Sequence, residues 1–238
     1  MADVRFTLRR TAGEIKRYRS YRKLIPIGIV LLLLLLILEY VISALYSKFG
    51  AFTVMVNKLD NIEYALSLSE NRDFTYKTSR LSADIDIQVT NIDGSEIPDW
   101  VDNVDGKHNG RNYIAYTFYC MNAGTTTVAY TYELYLTNME QNMEKAIRVR
   151  LYVDGVATDY AYPRTDGIEG PEPGTTAFLT GSTVVKQEIG NFRPGDITKY
   201  TVVVWLEGND PECTDQIIGG TIKIDMSMNI VGSDEKTN

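Results

Sequence analysis

The chain reads Val128-Ala-Tyr-Thr-Tyr-Glu-Leu-Tyr-Leu-Thr137 near its middle. Apolar or aromatic side chains fill the even positions of this stretch, and mostly smaller or more polar ones fill the odd positions. Successive side chains of a β-strand point to opposite faces, so this alternation predicts a strand with one face on a core and the other in water. The stretch favours an all-β fold.

Similar patterns recur along the chain after residue 50, separated by turn signals such as Asp154-Gly155 and by the loop Pro163–Thr176. Only the region Thr137–Ala146 favours a short helical turn. Many short strands with scarcely any helix predict an antiparallel β-sandwich. The other predicted strands are Ala51–Val56, Tyr64–Ser69, Arg72–Ser79, Ile85–Val89, Asn112–Met121, Ile147–Val153, Ser182–Glu188, Lys199–Leu206 and Ile222–Ile230.

An apolar segment, residues 24–47, precedes these strands. Its first fifteen residues carry no charge and include six consecutive leucines, whereas Glu39 interrupts its second half. At about 1.5 Å per residue, a helix of this length can cross a hydrocarbon core of about 30 Å. Eight Lys/Arg lie in residues 1–23, and such basic flanks stay in the cytoplasm. We therefore expect a single-pass type II membrane protein with its C-terminal part outside the cell.

The expected organisation is a basic cytoplasmic tail (1–23), a transmembrane signal-anchor helix (24–47), an extracellular β-sandwich domain (48–231) and a flexible tail (232–238). A cleaved signal peptide is the alternative for residues 24–47. The uncharged core is at the upper length limit for such a signal, and the small residues around Ala44 and Ala51 make only mediocre processing sites.

The charge of the predicted extracellular part constrains its partners. Residues 48–238 contain 16 Lys/Arg and 28 Asp/Glu, a net charge of about −12, whereas the whole chain carries −7. An acidic surface disfavours nucleic acid as a partner. The expected partners are the membrane, other copies of this chain and related surface proteins.

The chain has two cysteines, Cys120 and Cys213. A pair of cysteines in an oxidising compartment predicts one disulfide. It would close a loop of about 93 residues. By restricting the entropy of the unfolded chain, such a loop stabilises the folded state by roughly 4–5 kcal/mol.

The sequence contains few features that would indicate an enzyme. The single histidine, His108, lies in a hydrophilic loop, and there is no zinc-protease helix motif, phosphate-binding loop or nucleophile elbow. The acidic stretch from Glu207 to Asp215 could chelate calcium, but it also reads as an ordinary loop after a strand. We expect no catalytic residue, metal or cofactor.

Four stretches of the chain carry a resemblance to the TasA/camelysin family of Gram-positive cell-surface and biofilm-matrix fibre proteins. The resemblance implies a jelly-roll-like sandwich. It also implies assembly in which a subunit donates an N-terminal strand to the next one. The stretches are Tyr113–Phe118 with Asn122–Gly124, Ala146–Gly155, Phe192–Asp196 with Val204–Cys213, and Gly219–Met226.

The candidate donor strand in this sequence lies just after the apolar segment and consists of Ala51, Phe52, Thr53, Val54, Met55 and Val56. An added strand pairs with an open sheet edge and fills its groove. If residues 24–47 are retained, the strand is tethered, and we expect a membrane-bound cap, a fibre anchor or a self-complemented monomer. A monomeric adhesin is the alternative. Some camelysin-type members are classed as metallopeptidases, but this sequence has no recognisable zinc ligand set.

Overall fold

A computed structural model describes residues 26–27, 29–40, 52–56, 65–83, 90–137, 139–165 and 167–231. The chain divides into two compact units, Met1–Ser47 and Lys48–Asn238. In the first unit, residues 29–40 form helix α1, and their side chains are exposed. Within the described residues, no helix combines the length and apolar character that a membrane crossing requires.

Two mixed β-sheets make up most of the second unit. One has five strands in the order β10-β6-β12-β1-β3, and the other has seven in the order β2-β5-β11-β7-β8-β9, with β4 paired to β5. The only α-helical turn in the described part of this unit is α2, Met143–Ala146. The strands are β1 (Phe52–Val56), β2 (Leu66–Ser69), β3 (Arg80–Ala83), β4 (Gly106–Lys107), β5 (Tyr113–Asn122), β6 (Val128–Thr137), β7 (Ile147–Val153), β8 (Val156–Ala161), β9 (Thr176–Ala177), β10 (Thr183–Phe192), β11 (Ile197–Leu206) and β12 (Lys223–Ile230).

A single large core contains buried side chains from both sheets. On β6, Val128, Tyr130, Tyr132, Leu134 and Leu136 are all buried, as the period of two predicts. Aromatic rings join the two sheets across this core, because Tyr132 of one sheet meets Tyr200 of the other edge-on at 5.3 Å between centroids. The buried phenol groups pair with each other: the Tyr130 and Tyr200 oxygens lie 2.8 Å apart. The expected β-sandwich architecture is consistent with these two packed sheets.

A second, smaller core covers the opposite face of the seven-stranded sheet. Ile97 and Val101, from the segment before β4, pack with Val203 and Trp205 of β11. Trp205 donates its indole N–H to Glu207 Oε2 at 2.9 Å, so the polar end of the ring is satisfied. The segment therefore shields an apolar strip that the first core does not use.

Most predicted strands are confirmed, and β6 has the predicted bounds. The predicted strand Arg72–Ser79 is wrong: these residues form turns and a single bridge at Thr78, and the strand begins at Arg80. The predicted strand Ile85–Val89 lies outside the described residues. Strand β8 was not predicted, because its residues Val156–Ala161 do not alternate cleanly.

Two strand pairs depart from the expected antiparallel arrangement. β1 runs parallel to β12, and β8 runs parallel to β9. Parallel neighbours cannot be joined by a tight hairpin. For β1 and β12, this pairing brings strands from the two ends of the domain side by side.

Candidate functional site

The candidate donor strand lies inside the chain's own five-stranded sheet. β1 pairs in parallel with β12, with Val54 opposite Met226, and in antiparallel with β3, with Val54 opposite Leu81. Its position between two strands means that both of its backbone edges are paired. Phe52–Val56, the described part of the predicted donor strand, is therefore an internal strand of the sheet. It lies next to the edge strand β3.

The apolar side of β1 fills a slot in the main core. Phe52, Val54 and Val56 are buried, whereas Met55 is 36% exposed. The Phe52 ring lies 5.4 Å from that of Tyr116, which belongs to the opposite sheet. Without β1, the edges of β12 and β3 would be unpaired and this slot would be open to water. An extended strand with the same apolar spacing fits such a slot.

The structure has both cysteines as free thiols, which corrects the predicted disulfide. Cys120 is buried and lies opposite Thr198 near the start of β11, whereas Cys213 follows the far end of that strand. From Thr198 to Trp205 the strand extends about 23 Å at 3.3 Å per residue. Cys213 lies beside Glu207 and Arg148, at the Trp205 end of the strand, whereas Cys120 lies at the Thr198 end. A disulfide requires Cα atoms within about 7 Å, so the two cysteines are too far apart to be bridged.

The acidic loop after β11 is built around a buried ion pair. Arg148 Nη2 lies 2.5 Å from Asp210 Oδ2, and both side chains are almost fully buried. The same guanidinium lies 3.8 Å from Glu172 in the loop before β9. Burial, followed by a hydrogen bond with Glu212, raises the pKa of Asp210. The network ties two loops to β7.

Glu172, Asp210 and Glu212 have carboxylate oxygens within 4.8 Å of one another, which would suit a cation. Arg148, however, already directs its charge at two of these three groups. The arrangement is therefore an ion-pair network. The sequence pattern identified the acidic loop but not its partners Arg148 and Glu172. The one sequence feature that pointed to such a partner was the presence of an arginine on the apolar strand β7.

His108 is partly buried and has a structural role. Its Nδ1 lies 2.8 Å from the Gly106 carbonyl oxygen, and its Nε2 lies 2.8 Å from that of Val101. The ring thereby connects the 3-10 helix Asp99–Asn103 to β4. Both nitrogens have backbone partners, so this histidine is not placed as a general base next to a nucleophile.

No family of known proteins matches this sequence, and neither does any curated protein. Among solved structures, the GH31 alpha-xylosidase from Xanthomonas citri is similar, at 12% sequence identity and a TM-score of 0.26. The similar region covers 72% of this chain but only 16% of the xylosidase. A similarity this low carries no argument about activity.

Proposed function

We propose that this chain is a bacterial cell-surface structural protein, anchored in the membrane by residues 24–47, whose extracellular domain assembles by β-strand complementation. In this proposal β1 fills either the slot of its own domain or the same slot of a second copy. The proposal includes the relationship to the TasA/camelysin fibre proteins and their jelly-roll-like connectivity. The protein would bind or nucleate surface fibres and would not act as an enzyme.

The observation that carries the proposal is the position of β1. It is the first described strand after the apolar segment, it runs parallel to β12, and it lies between β12 and β3. Both strands that pair with it follow it in sequence. A strand of this kind can be replaced by an identical strand from another chain without altering any other pairing, which is the basis of strand exchange.

The chain between the apolar segment and β1 limits how far the strand can reach. Four residues, 48–51, separate them, and at about 3.5 Å per residue they span no more than about 18 Å. A tethered β1 can therefore reach only a copy held close beside it. This favours a membrane-bound cap or anchor over an unlimited free fibre.

The long outer strand of the same sheet is poorly suited to edge-to-edge assembly. β10 pairs only with β6, and its register shifts twice, before Val185 and before Phe192. Exposed Lys186 and Glu188 flank its middle. Bulges and charges are the usual features that protect an edge strand from pairing with another sheet. Assembly by exchange of β1 is therefore favoured over stacking at β10.

A disulfide that locks β1 in place tests the proposal. Met55 and Ser227 are register partners on β1 and β12, so Met55→Cys with Ser227→Cys should form a disulfide. The variant is made in the full chain with Cys213→Ser and is oxidised in detergent while dilute and monomeric, so that the disulfide forms within one chain. Its mass is then measured by sedimentation over a concentration series. We expect monomers when the lock is oxidised and assemblies after reduction.

The matched control places the second cysteine at Lys186 instead of Ser227. Lys186 is in the same row of the sheet but three strands from β1, about 14 Å away, so no lock can form. This control should assemble with or without reductant. Monomers at every concentration for the natural chain, the reduced variant and the control would reject assembly and favour the monomeric adhesin.

A further inference from the structure

A polar cleft lies on the seven-stranded sheet, where the cover formed by the second core ends. Its volume is about 320 Å³. Five separate elements contribute to it: the loop after β2, the 3-10 helix Asp99–Asn103, β5, the β7–β8 turn and the first residues of β11. Small-molecule pockets generally span about 300–1,000 Å³, so this one suits a ligand at the small end of the range. The side chains that line it are Arg72, Asp102, Tyr119, Asp154, Ile197 and Lys199.

A partly buried ion pair lines the cleft. Lys199 Nζ lies 2.9 Å from Asp102 Oδ2 and also donates to the Asp102 backbone carbonyl. Asp102 is only 9% exposed, and its two contacts with the ammonium hold the lysine in place. Tyr119 is held in a similar way, because its hydroxyl donates to Asp105 Oδ1 at 2.6 Å. Lys199 and Tyr119 are therefore positioned before any ligand arrives.

The turn on one side of the cleft is fixed by its backbone. Asp154 and Gly155 both have positive φ, at 49° and 83°, which is typical of a two-residue hairpin. Asp154 Oδ1 accepts the backbone N–H of Lys199 at 2.8 Å. A Cβ added at Gly155 would lie 3.9 Å from Asp102 Oδ2. Asp154 is thus held at the rim of the cleft, where the residue is exposed.

We propose that this cleft binds a neutral polyhydroxylated ligand, namely a single sugar ring. Its donors are Arg72 and the Lys199 ammonium, and its acceptors are the Asp154 carboxylate and the Tyr119 oxygen. A sugar hydroxyl both donates and accepts, so it matches a site with both kinds of group. Ile197 supplies an apolar surface for the C–H face of the ring.

The charges around the cleft disfavour the other ligand classes. Lys199 and Asp102 neutralise each other, which leaves Arg72 and Asp154 as groups of opposite sign at the rim. A metal ion would meet the Lys199 ammonium, and a simple anion would meet the Asp154 carboxylate. A neutral ligand avoids both repulsions.

Saturation-transfer NMR on the full chain tests this inference. The detergent must be zwitterionic, because sugar-headed detergents would compete for the cleft. The probes are methyl α-D-glucopyranoside, methyl β-D-galactopyranoside and N-acetylglucosamine, with glycine as a zwitterionic comparison. We expect transfer to at least one sugar, with a Kd of about 1 mM, and none to glycine.

Two variants should weaken binding at least tenfold without unfolding the domain. Arg72→Ala removes an exposed donor. Asp154→Asn keeps both the left-handed backbone conformation and the acceptor for Lys199, but it loses the charge. The matched controls are Arg80→Ala, on β3 of the other sheet, and Asp93→Asn, which lies near Glu207 beyond the far end of β11.

Sugar binding that both cleft variants weaken and both controls preserve, with unchanged unfolding temperatures, supports the site. Transfer to no sugar, transfer to glycine alone, or sugar binding that the cleft variants leave unchanged would overturn it.

Discussion

Val54 of β1 lies directly opposite Met226 of β12 in a parallel strand pair, and neither side chain is exposed to solvent. The first and last described strands of the domain are thus neighbours in the middle of one sheet. Together with Phe52 and Val56, Val54 fills the slot between β12 and β3. The domain is closed by a strand that lies immediately after the apolar segment, and this is the relationship from which the proposed function follows.

A charge placed on the buried face of β1 should unfold or severely weaken the domain. Val54→Asp would bury a carboxylate without a partner, and we expect a loss of at least about 4 kcal/mol in the free energy of unfolding. Met55→Asp is the matched control: this side chain is 36% exposed and opposite Arg80, so the change should stay within about 0.5–1 kcal/mol. Urea unfolding followed by circular dichroism measures both. Equal stability of the two variants would mean that β1 is not part of the core.

Removing one partner of the Arg148–Asp210 ion pair should lower the free energy of unfolding strongly, whereas replacing both partners should lower it much less. Arg148→Met leaves the buried Asp210 carboxylate without its cation, and we expect a loss of about 3–5 kcal/mol. Arg148→Met with Asp210→Asn removes both charges and keeps the hydrogen bond from the Glu212 N–H, so most of that stability should return. A double variant no more stable than the single one would show that the pair's charge is not what matters there.

The domain should lose stability cooperatively at alkaline pH. Burial raises the pKa of Tyr119 and Tyr132 to about 12, and it also raises the pKa of Tyr116, Tyr130 and Tyr200. The unfolded chain ionises its tyrosines near pH 10, so it releases protons first, and stability falls as the pH rises from about 10 through 12. Tyrosinate absorbance and circular dichroism should change together in one step. Full ionisation of the tyrosines near pH 10 with the fold intact would contradict this expectation.

The two cysteines should behave as free thiols of different accessibility. Cys213 is partly exposed and Cys120 is fully buried, and burial raises the pKa of both thiols. An alkylating reagent should therefore modify Cys213 slowly in the folded protein and Cys120 only after denaturation. Mass spectrometry counts the adducts. If neither cysteine reacts in denaturant without reductant, the disulfide exists and the structural assignment of free thiols is incorrect.

Much of the strand structure could be predicted because it depends on local alternation. Val128–Thr137 alternates without interruption and was located to the residue. Arg72–Ser79 was misassigned because its mixed polar pattern sits next to a real strand, Arg80–Ala83. The parallel pairing of β1 with β12 had no local signal, because alternation shows that a strand has a buried face but does not show which strand is its neighbour.

The candidate sites were harder to predict, because their residues come together only through the fold. Arg148 and Glu172 meet Asp210 from a strand and a distant loop. Lys199 reaches Asp102 from β11. The predicted cysteine pair failed for a related reason: two cysteines in one compartment suggest a disulfide, but the length of β11 separates them.

The most direct test of the central claim is a mixing experiment with two full-length chains. One carries Met55→Cys and the other carries Ser227→Cys, both with Cys213→Ser, and they are produced together in the same membrane and then oxidised. Because these residues are register partners, a disulfide between the two chains forms only when β1 of one chain occupies the slot of the other. The account predicts a disulfide-linked dimer containing one chain of each kind. Absence of that dimer, in a membrane where the double variant forms its intramolecular disulfide, would contradict it.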